Sequence, residues 1–215
     1  MDELSSDNID RQDPSSRSGD SLLSRYIKSP SVQLERLSQS SFNIKELINF
    51  YDGRQEKTTL PEKPRTAKDV ANMFNRIRSQ WSEGEVAWYG VIDHDNRGKY
   101  IGDVMIDPIE WDKSQASVRF YIPEREDCVP DVVRSLSFVL VNDLGLELVR
   151  IYGTNDVADK TNDAVASLNG QYEGRQRVYS NNEFSLVHTW SVTSSEILND
   201  EVSVETELSY ENEEE

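Results

Sequence analysis

Residues 116–152 read ASVRFYIPEREDCVPDVVRSLSFVLVNDLGLELVRIY, and the order of elements in this stretch decides the fold. Residues 116–122 set apolar side chains at alternate positions and stop at Pro123, the pattern of a half-buried strand. Pro130 suits the first position of a helix over 131–144, and Gly145 suits its stop. Residues 146–152 are a near-continuous apolar run, as a strand buried in the centre of a sheet requires. The loop between the first strand and the helix differs from everything around it. Glu124-Arg125-Glu126-Asp127-Cys128-Val129-Pro130-Asp131 holds four carboxylates, one base and no glycine.

Upstream, residues 86–93 and 99–109 flank Asp93-His94-Asp95-Asn96-Arg97-Gly98, a strong hairpin signal, with Pro108 ending regular pairing near the close of the second strand. Val70, Met73, Phe74, Ile77 and Trp81 fall at helical spacing within 67–81, and Thr66 with Asp69 has the form of a capping box. Ser41 or Asn43 caps a helix over 44–51, whose Ile44, Leu47, Ile48 and Tyr51 share one face. Residues 31–37 alternate and read as a first strand. Downstream come a loop over 155–159, a short helix over 160–168 and a hairpin of 171–178 with 184–192. The sum is a mixed-sheet α/β fold, α+β in arrangement, with about seven strands and four helices over residues 31–193.

The chain has 215 residues and a net charge of −17. The excess is uneven: residues 191–215 carry nine acids and no bases. Residues 1–29 and 197–215 bury too little apolar area to offset ordering entropy, so both are expected to be disordered tails. The acidity and the lack of any basic stripe argue against nucleic acid and anionic membrane as partners. No run of 18 or more apolar residues exists, and the N-terminus lacks the basic and apolar regions of a signal peptide. A single cysteine, Cys128, excludes an internal disulfide and fits a reducing compartment, so a cytoplasmic location is expected.

The element order, strand, two helices, three strands, helix, strand, helix, two strands, resembles the GNAT superfamily. Within it, the chain is similar to ribosomal-protein N-acetyltransferases of the RimJ/RimL type. Lys99-Tyr100-Ile101-Gly102-Asp103 resembles that family's Gly-Glu-x-Ile-Gly strand. Ile109-Glu110-Trp111-Asp112, followed by 116–123, resembles its "ID-W…AEIGYWI-P" passage. Asp143-Leu144-Gly145-Leu146 with Val149 resembles "ELGLHRV", and Tyr172-Glu173-Gly174 matches the "EG" after the fourth helix. The resemblance implies that 146–152 lies inside the sheet, with 116–122 parallel to it and splaying away at its end to open a cofactor slot. It implies acetyl-CoA as co-substrate and, as partners, acyl-CoA and an amine acceptor such as a protein N-terminus. It sets Tyr121, Ile122, Arg125, Asp127, Cys128, Val129 and Asn155 against the cofactor. Asn155 matches an asparagine near the pantetheine arm, and Thr161 or Asn162 takes the following serine position.

The loop departs from that pattern. A pyrophosphate is held by successive backbone N–H groups at a helix N-terminus, and glycines let the backbone approach it. Here Asp127 and Val129 stand where glycine is expected, with Cβ atoms in the phosphate's path, and Pro130 has no N–H. Each carboxylate beside a phosphate costs on the order of 1 kcal/mol, while the helix dipole returns about 0.3–1 kcal/mol. Ser117 stands where many relatives carry a glutamate base. Asp103 and Asp107 on the preceding strand are geometric substitutes, and no catalytic residue is assigned. Cys128 is a candidate thiol whose acidic neighbours should raise its pKa. His94 and His188 have no partner that would make a metal site. Trp81, Trp88, Trp111 and Trp190 read as core or rim aromatics. Two readings stay open: an N-acyltransferase moving an acetyl group from acetyl-CoA to a primary amine of a protein or small molecule, or a catalytically degenerate GNAT-fold binding or scaffold protein.

Overall fold

A computed structural model describes residues 26–38, 42–52, 66–96, 98–180, 183–197 and 205–206. One mixed sheet of nine strands organises them, in the order β7-β8-β6-β5-β4-β3-β2-β1-β9. The strands are β1 (Tyr26–Lys28), β2 (Val32–Arg36), β3 (Ala87–Asp93), β4 (Lys99–Glu110), β5 (Gln115–Tyr121), β6 (Leu148–Gly153), β7 (Gln171–Ser180), β8 (Glu183–Thr193) and β9 (Glu205–Thr206). The helices are α1 (Ile44–Tyr51), α2 (Ala67–Glu83), α3 (Val129–Phe138), α4 (Ala158–Ser167) and α5 (Ser194–Ile197).

The helix signals act locally as expected. Asn43 accepts from the Lys45 N–H and caps α1. Thr66 and Asp69 form a reciprocal capping box on α2, and Gly84 ends that helix in the left-handed region. α3 starts at Val129, one residue before Pro130, and passes into a π-helical turn over Val139–Asp143 before Gly145 at φ +69°.

Nine strands and five helices exceed the seven and four expected. Tyr26–Lys28 and Glu205–Thr206 pair with each other in segments expected to be tails, and Ile27 is fully buried. Two- and three-residue strands carry no periodicity to read; pairing creates them, β1 on β2 and β9 on β1. The rest of both tails lies outside the described residues. β4 also runs past Pro108 to Glu110, with a register shift between Ile106 and Ile109 accommodating the proline.

β3 and most of β4 are buried on both faces, whereas β5 and β6 bury alternate residues only, so 146–152 is half-buried and not the doubly buried strand its apolar run implied. α3 and α4 cover the face carrying Val104, Val118, Ile151 and Trp190. α1 and α2 cover the other face, which carries Trp88, Tyr100 and Met105. Alternation along β5 therefore sends Phe120 and Ile122 to the α3/α4 side, and Tyr121 toward the α1/α2 side. No helix among the described residues is long and apolar enough to cross a membrane.

Candidate functional site at the strand fork

β5 and β6 form the only parallel pair in the sheet among the described residues, and β5, like β6, has antiparallel partners on its other side. Their pairing runs from Gln115–Leu148 to Arg119–Tyr152 and stops there. β5 continues through Phe120 and Tyr121 along β4, while Gly153 continues along β8 opposite His188. The two strands thus part after that pair and form a fork. The expected parallel, central arrangement of 116–122 and 146–152 holds.

The loop at the β5 prong is a knot of ion pairs. Arg125 Nη1 lies 2.6 Å from Asp93 Oδ2, and Arg125 Nε and Nη2 both donate to Asp127 at 3.1 Å. Lys99 Nζ donates to Glu124 at 2.6 Å. Ser31 Oγ donates to Asp131 Oδ2 at 2.5 Å, and Arg134 lies 3.7 Å from the other Asp131 oxygen. The Arg125 hydrogen bonds hold the Asp127 carboxyl below its ordinary range. The backbone N–H groups of Cys128 and Val129 bond back to the Arg125 and Glu126 carbonyls in a 3-10 turn over Glu126–Cys128. Two amides that could meet a phosphate are therefore already engaged.

The side chains of Cys128 and Val129 are buried in the core. The expectation that Val129 projects a Cβ into the phosphate's path is corrected accordingly: the residue anchors the helix start. Burial first, then the Asp127 carboxylate, push the Cys128 thiol up to about 12. Its Sγ donates to the Arg125 carbonyl at 2.8 Å, so it is an inert packing group. Acidic neighbours contribute to that shift, but burial dominates it.

At the β6 prong, Asn155 follows the strand and is exposed. Its Oδ1 lies 2.6 Å from His188 Nε2, and His188 Nδ1 lies 3.1 Å from the Tyr172 hydroxyl. An amide oxygen only accepts, so His188 carries its proton on Nε2 and accepts from Tyr172 on Nδ1. The ring stacks on Trp190 at 5.6 Å and 17°. Burial, reinforced by Arg175, lowers the His188 pKa below 6.5. Sequence reasoning left this histidine without a role. Thr161 Oγ1 points inward to the Val157 carbonyl at 2.8 Å, and Asn162 Oδ1 accepts from Trp190 Nε1 at 3.4 Å.

Across the sheet, on the α1/α2 side, Asp103 is fully buried. It pairs with Tyr121 on β5 and with Gly90 on β3, which places it beside the point where the fork opens. Ser117 is paired with Arg150, four residues short of Tyr121, or about 13 Å along the strand. Asp107 is 3.6 Å from Arg119. Of the carboxyls considered as substitutes for a base, Asp107 reaches the last paired residue, Arg119, and Asp103 is in register with Tyr121 beyond it. Tyr100 donates to its Oδ1, and Oδ2 has no partner. Burial raises its pKa well above the ordinary carboxylate range. A Cβ on Gly90 would come within 2.5 Å of Phe42 Cζ and 3.0 Å of Tyr100 Cε2, so only glycine admits those rings beside Asp103.

No family model matches the chain, and no curated protein sequence does. Solved structures match its fold. A GCN5-related N-acetyltransferase from Brucella melitensis is similar with a TM-score of 0.61 and 16% identity, over 81% of each chain. A variant of the spermidine N-acetyltransferase of Vibrio cholerae is similar with a TM-score of 0.58 and 16% identity, over 77% of this chain and 97% of that one. The chain thus has the fold of GNAT acetyltransferases. At these identities the likeness establishes fold, and chemistry must be argued from the site.

Proposed function

We propose that this chain is an acyl-CoA-dependent N-acyltransferase, similar to the RimJ/RimL type, that moves an acetyl group from acetyl-CoA to a primary amine of a protein or small molecule. The observation that carries this reading is the fork after the Arg119–Tyr152 pair. An extended pantetheine arm has amide donors and acceptors. Beyond the last β5–β6 pair, the arm can run along β5 as an added strand, as other extended ligands add to sheet edges. Asn155, exposed at the opposite prong, offers a side-chain amide to the same arm. The thioester supplies an activated acyl group. The protein's part is to hold an amine in line with it and remove the departing proton.

The pyrophosphate end fits less well. The loop's one cation, Arg125, is committed to Asp93 and Asp127, and the Cys128 and Val129 amides are committed to the 3-10 turn. That observation favours the second reading, a degenerate GNAT-fold binding or scaffold protein. Release of free thiol from acetyl-CoA, measured across a panel of primary amines and peptides with free N-termini, separates the two. The acyltransferase reading expects amine-dependent thiol release. The scaffold reading expects none with any acceptor.

A further inference from the structure

The α1/α2 face of the fork holds an arrangement that pyrophosphate or pantetheine binding does not use. Asp103 lies fully buried with Oδ2 unpartnered. A buried polar atom without a partner is costly, so a fold keeps one where something else compensates. Around it stand Tyr100, which donates to Oδ1, and Tyr51, whose hydroxyl lies 3.4 Å from that of Tyr100. Phe50 packs edge-on to Tyr100 at 4.7 Å, to Tyr51 at 5.2 Å and to Tyr121 at 6.0 Å. Phe42 meets Tyr100 edge-on at 5.5 Å. Aromatic residues packed on the tyrosine that bonds this carboxyl suit a particular ligand chemistry. The rings attract a cation and cover an alkyl stem, and an ammonium brings N–H donors to the open oxygen.

We propose that Asp103, in register with Tyr121 beside the fork, and the aromatic residues packed on Tyr100 form the binding site for the alkylammonium group of the acceptor. This deepens the acyltransferase reading by assigning the acceptor class, a primary amine on an unbranched apolar stem. Burial favours the protonated form of the empty carboxyl and the incoming ammonium favours the ionised one, so a proton held there leaves to solvent as the ion pair forms. The neighbouring Tyr51 and Tyr100 offer hydroxyls.

The test is a titration of the protein, without acyl-CoA, by n-butylammonium chloride, read by calorimetry and tyrosine fluorescence, with n-butanol as control. Saturable binding of the ammonium and none of the alcohol is expected. Asp103→Asn keeps the shape and removes the charge, and should weaken binding at least tenfold. Phe50→Leu keeps an apolar wall and should weaken it severalfold, a second reading should Asp103→Asn fail to fold. Equal affinity for ammonium and alcohol, no binding by the wild type, or undiminished binding by either variant would overturn the proposal. Since acyl-CoA is absent, failure of the cofactor to bind leaves this result standing, and the converse holds too.

Discussion

Arg125 Nη1 sits 2.6 Å from the carboxylate of Asp93, which is only 1% exposed. That carboxylate also accepts the Asp95 N–H at 3.0 Å, so the pair ties the loop before α3 to the β3–β4 hairpin. Removing the guanidinium leaves a buried charge with one backbone donor. Arg125→Ala should lower stability by about 1.5–3 kcal/mol, the range for hydrogen bonds to charged groups. The double variant with Asp93→Asn should recover part of the loss. Urea denaturation of the three variants checks this; equal midpoints for Arg125→Ala and wild type would mean that water replaces the partner.

Asp127 competes with any phosphate for Arg125. It is exposed, so its loss costs little in stability. Asp127→Asn releases Nε and Nη2 of the guanidinium and removes one negative charge. Acetyl-CoA should bind about tenfold more tightly to this variant, since one recovered charge-assisted hydrogen bond is worth roughly 1.5 kcal/mol. An unchanged dissociation constant in calorimetry would show that the pyrophosphate lies elsewhere.

Asp103 gives stability a pH dependence. The unfolded chain loses the proton near the ordinary value of 3.8, whereas the folded chain keeps it to much higher pH. Between those limits the folded state binds more protons, so stability falls as pH rises, by up to about 1.4 kcal/mol per unit. Asp103→Asn removes this slope. Melting curves of wild type and variant between pH 4 and 7 should diverge as pH rises, with the variant gaining; parallel curves would show an ordinary carboxyl.

His188 acts in the opposite sense. Its folded pKa lies below 6.5, so the unfolded chain binds more protons as pH drops through that value. Acidification below about pH 6.5 should destabilise the Tyr172–His188–Asn155 chain, and His188→Gln should lose that part of the pH dependence. Proton NMR of the His188 ring provides the check: titration at or above 6.5 would contradict the assigned environment.

The elements that sequence made legible are those whose signal is local. The Thr66–Asp69 box and the stop at Gly145 are set by neighbours a few residues away, and the burial of Val149 and Ile151 by side-chain chemistry alone. The site was less legible because its partners are far apart in the chain. Four carboxylates in 124–131 read as bare repulsion, yet Asp127 pairs locally with Arg125, and Glu124 finds Lys99 25 residues upstream. Asn155 meets His188 33 residues on, which neither residue announces. Asp103 did leave a trace: a carboxyl inside the apolar strand Tyr100–Ile106 is a polar group that something must satisfy. Which rings would surround it depended on Gly90 and on the packing of α1, which no periodicity encodes.

The central claim is that the fork between β5 and β6 receives acyl-CoA. Calorimetric titration of the unmodified protein with acetyl-CoA tests it most directly. The account predicts saturable binding of one molecule per chain, accompanied by a rise in melting temperature. No heat and no melting shift up to millimolar acetyl-CoA would contradict it and leave the scaffold reading in its place.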